Sequence, residues 1–189
     1  MYLNVFKAKK KELEAIEGIG TIRAKSIKEF IDFTCCETEI KFIEKYKIAP
    51  LFITDKNYPQ RLLNCYDSPP LLYYRGTADL NTAKIIAVVG TRTHSEYGKN
   101  ITEKIIAELA SQNIIVVSGL AFGIDTIAHK AALKNNLATV GVLAHGLDRI
   151  YPSQNKALAK QMTAQGGLLT HFISNTTPDK QNFPKRNRI

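Results

Sequence analysis

From Lys84 onward the chain alternates short runs of β-branched and aliphatic residues with longer stretches whose apolar positions recur every three or four residues. The runs IIAVVG (85–90), NIIVVSG (113–119), LATVGVLAHG (137–146) and GGLLTHF (166–172) read as buried strands, the first three ending in glycine. NITEKIIAELASQ (100–112), DTIAHKAALKNN (125–136) and SQNKALAKQMTAQ (153–165) read as the helices between them. Strand–helix alternation with nearly continuous apolar strands predicts a parallel sheet covered by helices on both faces. The expected class is α/β, a Rossmann-like parallel sheet with a small N-terminal helical domain.

The first fifty residues carry the different pattern that defines this small domain. KKKELEAIEGIG ends on two glycines, and TIRAKSIKEFIDF spaces Ile22, Ala24, Ile27, Phe30 and Ile31 at helical intervals, so residues 1–50 are expected to be helical. Gly18-Ile19-Gly20 followed by Ala24 and Ile27 has helix-hairpin-helix spacing, in which glycines permit the turn and alanine a close helix approach. Such a hairpin either meets DNA phosphates without reading sequence or serves packing alone, and both readings stand. In residues 51–82, Pro59, Pro69, Pro70 and Gly76 break any long helix, while Leu71-Leu72-Tyr73-Tyr74 suits a short strand. Many apolar residues there predict an ordered connecting segment leading to a Rossmann-like domain over 83–189.

Composition changes the picture through charge. Hydrophobic residues at 44% and charged residues at 23% fit a folded chain rather than a disordered one. A formal charge of +9 favours polyanionic partners: nucleic acid, anionic membrane or phosphorylated ligands. Ten Lys/Arg face eight Asp/Glu through residue 50, against sixteen and nine thereafter, so the excess belongs to the larger, glycine-containing part. Cys35, Cys36 and Cys65, odd in number and two of them adjacent, suit neither a disulfide framework nor a zinc site. No apolar run approaches about 20 residues, and MYLNVFKAKKK lacks a signal-peptide core. A cytoplasmic protein with no membrane partner is expected.

In an open parallel α/β sheet, ligands collect beyond the carboxyl ends of the strands. Three such ends carry polar or glycine clusters: Gly90-Thr91-Arg92, Ser118-Gly119 through Gly123 to Asp125, and Gly146-Leu147-Asp148. Small residues open backbone N–H groups to a phosphate, the next helix N-terminus adds its dipole, and Arg92 adds a bidentate contact. Nucleotide fingerprints fit poorly, because Gly119-Leu120-Ala121-Phe122-Gly123 is not GxGxxG and GxxxxGK[ST] does not occur. Asp125 reads equally as a helix N-cap, with His129 one turn later as its buried partner. His94, His129, His145 and His171 lack metal-ligand spacing, and no nucleophile triad or carboxylate pair stands out. Neither metal, cofactor nor catalysis is expected. At the chain end, NFPKRNRI offers Lys185, Arg186 and Arg188 to phosphates and Phe183 to a stacking base, or else forms a solvated basic tail.

Taken together, VVGTR (88–92), SGLAFGID (118–125) with His129, GLDRIYPSQN (146–155) and FPKRNRI (183–189) resemble the DNA-processing protein A (DprA/Smf) family. ITDKNYPQRLLNCYDSPPLLYYRG (53–76) also resembles the segment that enters this family's core, so the likeness covers roughly residues 50–189. It implies an extended Rossmann fold that binds single-stranded DNA through a basic pocket at the strand ends. It further implies protection of incoming strands during natural transformation, help in loading the recombinase RecA, and homodimerisation through the same fold. Carried over by position, Gly90, Thr91, Arg92, Ser118, Gly119, Gly123, Lys185, Arg186 and Arg188 would contact the DNA, and Asn187 would position the basic loop.

Three departures accompany the resemblance. Phe122 stands where many members carry a basic or aliphatic residue, which either costs a phosphate contact or supplies a stacking face, and Thr170-His171-Phe172 replaces a Ser-Glu-aromatic strand end. The chain also stops at Ile189, inside the RNRI segment, so a C-terminally shortened member with an incomplete domain is expected. The competing reading is a small-nucleotide enzyme or sensor on the same core; related phosphoribohydrolases would need a PGGxGTxxE-type loop, which the sequence lacks. A third is a remnant that folds and binds nothing.

Overall fold

In the computed structural model, which describes residues 3–189, a short helical region precedes a mixed α/β sheet. The helices are α1 (Leu3–Lys7), α2 (Lys10–Glu14), α3 (Thr21–Glu29), α4 (Thr34–Tyr46), α5 (Glu96–Glu108), α6 (Ile124–Lys134), α7 (Lys156–Gln165) and α8 (Asn182–Arg186). The strands are β1 (Ala49–Phe52), β2 (Leu71–Gly76), β3 (Ile85–Ala87), β4 (Ile115–Ser118), β5 (Ala138–Val142) and β6 (Gly167–Thr170). They form one sheet in the order β1-β2-β6-β5-β4-β3. The last four strands run parallel, whereas β2 pairs antiparallel with both β6 and β1.

The parallel strands lie side by side in sequence order. Right-handed crossovers between sequential strands land on one face, so α5, α6 and α7 all pack on the same side of the sheet. There Val116 meets Ile106 of α5 and Ala128, Ala131 and Ala132 of α6, while Leu168 meets Leu158 and Met162 of α7. The sequence pattern predicts helices on both faces, and here the structure differs, because the strand order never reverses to send a helix across. The opposite face, with Ile115, Val140, Val142 and Leu169, is instead packed by Tyr58 and Leu62 from the irregular segment before β2. Tyr58 is fully buried, and its hydroxyl donates to the Pro69 carbonyl at 2.8 Å. Residues 51–82 therefore do more than connect, since they supply a strand to the sheet and cover to its second face.

The chain divides into two compact units, the second being Glu39–Ile189, so the division falls inside α4 and ahead of residue 50. The reason is Glu39. Its carboxylate is buried and accepts from the Ser174 N–H at 3.1 Å and from the Ser174 hydroxyl, which ties most of α4 to the second unit. In the first unit Leu13 and Ala24 are buried, and the rings of Phe6, Phe30 and Phe33 cluster with centroids 5.0 to 5.9 Å apart. Ile22 and Ile31, which the sequence spaces at helical intervals with Ala24, are 83% and 86% exposed. Ile22 lies about 200° around the helix from the buried Ala24, and α3 stops at Glu29, before Ile31.

Candidate nucleic-acid interface

The carboxyl ends of β3, β4 and β5 are tied together by the loops that leave them. Gly90 packs against the Ile124 side chain, and Gly123, at φ +77°, packs against the Thr91 carbonyl. A side chain at either position would collide, so these glycines let the two loops pack together. The Ile124 N–H donates to the Thr91 carbonyl at 3.2 Å. The Thr91 hydroxyl turns inward on its own loop, donating to the Thr93 carbonyl at 3.0 Å. The Ser118 hydroxyl is buried and donates to the Val88 carbonyl at 2.6 Å, locking β3 to β4.

Asp125 organises the next loop. Gly123 is the N-cap of α6, and Asp125 lies in the first turn, so the capping role read from sequence is replaced by another. Its carboxylate accepts from the N–H groups of Gly119 at 3.1 Å and Ala121 at 3.3 Å. These two amides are thereby engaged within the protein. Leu120 sits in the left-handed region at φ 56° with its side chain fully buried. Asn155 holds this turn from the far side, donating to the Leu120 carbonyl at 2.9 Å and to the Thr126 hydroxyl at 2.8 Å. His129 bonds Thr139 at 2.7 Å instead of Asp125, so the expected Asp–His contact does not form.

Arg92, Gly119, Phe122, His145, Tyr151 and Phe183 line a recess on this scaffold. The Arg92 guanidinium lies 5.2 Å from the centre of the Phe183 ring, and the Tyr151 and Phe183 rings are 6.3 Å apart. Arg186 lies across Gly119, where any Cβ would meet its guanidinium. Its Nη1 donates to the Val142 carbonyl at 2.6 Å and its Nε to Asn187 Oδ1 at 2.8 Å. Burial pulls the Arg186 pKa below its ordinary value, opposed by the negative Asp125 and reinforced by the positive Arg92. A guanidinium nevertheless remains charged at neutral pH. Asn187 thus positions Arg186, while Arg188 pairs with Asp67. Lys185 is exposed on α8. Its charge adds to burial in holding the His171 pKa down.

The recess also contains residues whose role the sequence left open, as for Phe122, or did not indicate, as for Tyr151 and His145. Tyr151 and Phe122 are 47% and 43% exposed aromatic rings at strand-end loops, and that placement outside any apolar period is the signal that marks them. His145 is buried. Its Nδ1 donates to the Gly146 carbonyl at 2.9 Å, leaving Nε2 to accept from the Tyr151 N–H at 3.3 Å. Desolvation lowers its pKa, so the ring stays neutral and this acceptor is retained near pH 7.

A Rossmann-like α/β sheet with a cationic, aromatic recess at its strand ends defines the class of protein. The sequence model of the DNA recombination-mediator protein A family matches residues 49–189, and the chain belongs to that family. It is 37% identical over 193 residues to protein Smf of Synechocystis sp., covering 98% of this chain and 48% of the relative. It is 37% identical over 174 residues to DNA processing protein DprA of Streptococcus pneumoniae, covering 85% of this chain and 61% of the relative. The chain thus spans about half to three fifths of the length of these relatives. The solved Streptococcus pneumoniae DNA processing protein A superposes with a TM-score of 0.81 at 33% identity, over 99% of this chain and 67% of that one. DNA processing protein A of Helicobacter pylori, solved for insight into its single-stranded DNA binding mode, gives a TM-score of 0.64 at 30% identity, over 75% and 63%. Among the described residues, no helix is long and apolar enough to cross a membrane.

Proposed function

We propose that the strand-end recess binds single-stranded DNA, without catalysing a reaction on it, in the processing of DNA taken up during natural transformation. One observation carries this reading: Arg92 stacks on Phe183 next to the Arg186 guanidinium, with Tyr151 and Phe122 in the same recess. Cations neutralise phosphates, and aromatic faces take bases of any sequence, which is the chemistry of a sequence-tolerant single-strand site. The structural likeness to a protein studied for its single-stranded DNA binding supports the reading. The anion contacts come from side chains, because Asp125 holds two of the loop amides that a phosphate would otherwise use. Residence in the cytoplasm, expected from the cysteines and the lack of a long apolar run, belongs to the same proposal, as do RecA loading and homodimerisation, which rest on the family alone.

The test is fluorescence anisotropy with a labelled oligo-dT. Arg92→Ala is expected to weaken binding about tenfold and to reduce the salt slope of log K by about 0.7, one phosphate contact on a single strand. Arg92 is exposed and makes no ion pair among the described residues, so the variant is expected to fold normally. Unchanged affinity at moderate salt would remove the recess as the site. Thermal stabilisation by mononucleotides and not by oligo-dT would favour a small-nucleotide enzyme or sensor instead.

A further inference from the structure

We infer that a groove between α4 and α7 is a second anion track, which takes the DNA strand after it leaves the recess. Two adjoining hollows share Arg75, Leu147 and Asp148 and so form one groove. Its walls carry six cations: Lys41 and Lys45 on α4, Arg75 on β2, Arg149 in the loop after β5, and Lys156 and Lys160 on α7. Asp148 is the one acid lining it, and that carboxylate already serves Arg149 at 2.8 Å and the Asn175 N–H at 2.9 Å. Among the described residues the other five cations have no carboxylate partner. Lys45 and Arg75 both approach the Tyr46 ring, at 5.4 and 6.0 Å from its centre, which leaves an aromatic edge among the charges.

The placement on α7 points to an anion. Lys156 opens this helix and Lys160 follows one turn later, on the same face. Like charges at that spacing repel, and cations at a helix N-terminus oppose the helix dipole. The first turn of α7 contains no acid to offset them. By contrast, α5 pairs Lys99 with Glu96 and Lys104 with Glu108. A local arrangement that works against its own helix is expected where a ligand supplies the missing charge.

Position selects the ligand. The loop from His145 to Ser153 is a wall common to both sites: His145, Tyr151 and Pro152 face the recess, while Leu147, Asp148, Arg149, Ile150 and Ser153 line the groove. From Ser153 the lining continues along α7 to Thr163, about 15 Å at the helical rise. A flexible single strand that passes Tyr151 would cross this loop at Arg149 and descend between the two rows of lysines. This track rests on the recess reading proposed above and adds length to it.

The experiment compares oligo-dT of about 5 and about 20 nucleotides, the first near the lower end of the span of one single-strand site and the second beyond its upper end. The proteins are the full chain, Lys156→Glu/Lys160→Glu, and, on the opposite wall, Lys41→Glu/Lys45→Glu. Each double variant is expected to bind the long oligonucleotide at least tenfold more weakly, with a salt slope reduced by about 1.4, and to bind the short one as the parent does. Glutamates at the start of α7 favour its dipole, so that variant is expected to melt no lower than the parent while binding worse. Equal loss on both lengths, or no loss on the long one, overturns the track. So does an effect confined to duplex DNA or to polyglutamate. Failure of the short oligonucleotide to bind the parent, or its indifference to Arg92→Ala, would instead reject the recess reading.

Discussion

Asp125→Ala is expected to lower the unfolding free energy of the second unit by about 3 kcal/mol, because two hydrogen bonds to a charged acceptor are lost together. The carboxylate is 6% exposed and holds the N–H groups of Gly119 and Ala121. It is also the negative charge beside the partly buried Arg186. Removing it leaves two amides without their acceptor and the Arg186 guanidinium without its nearby negative charge. A capping aspartate replaced by alanine would lose about 1 kcal/mol, so the magnitude separates the two roles. Asp125→Asn keeps one acceptor oxygen and is expected to fall between. The chain has eight tyrosines and no tryptophan, so urea unfolding is followed by tyrosine fluorescence and far-ultraviolet circular dichroism. A loss of 1 kcal/mol or less would return Asp125 to the capping role.

Acid is expected to unfold the second unit through His129. Thr139 Oγ1 donates to the Val116 carbonyl at 2.8 Å, so it accepts from the His129 Nδ1–H. The lone pair on Nε2 is then buried with no partner among the described residues. Protonation there would place a charge in a fully buried site, and desolvation pushes the pKa from 6.5 down to about 3. The unfolded chain therefore takes up a proton first as pH falls. The stabilisation is complete above pH 6.5 and is lost as pH drops toward 3, at up to about 1.4 kcal/mol per pH unit. His145 and His171 are lowered in the same direction and add to the slope. His129→Leu removes the titration and the bond to Thr139. Its disadvantage against the parent should shrink by about 3 kcal/mol between pH 7 and pH 4. An unchanged difference across that range would exclude His129 as the acid-sensitive group.

Much of the fold was legible because the strands are apolar on both faces. Val116 and Leu168 serve the helical side, Ile115 and Leu169 the other, and the resulting runs could be read without knowing which layer each residue meets. The layer arrangement was not legible, since it depends on strand order, and no local pattern encodes that β4 lies between β3 and β5. The site divided in the same way. Arg92 and Arg186 were identifiable by residue type and motif, and the structure places Arg92 in the recess and Arg186 across Gly119 at its wall, near enough for their charges to interact. Ser118, Gly119 and Gly123 were read as donors or openings for phosphate, whereas their hydrogen bonds and close contacts are internal. A short sequence shows that a glycine is permitted, and only the fold shows which atom occupies the space it leaves. Arg188 shows the converse, because its partner Asp67 lies far away in sequence and takes a cation that the motif alone assigns to DNA.

The wiring of the loop around Asp125 also makes the protein adjustable. The backbone at the strand ends is held by buried groups, namely Asp125, Asn155, Ser118 and the packed glycines. Arg92, Phe122, Tyr151 and Lys185 stand outside that frame. Scaffold and contact layer are thus separable. The preference for length, charge density or chemistry of the ligand can be retuned by exchanging outward side chains, leaving the loops that carry them in place.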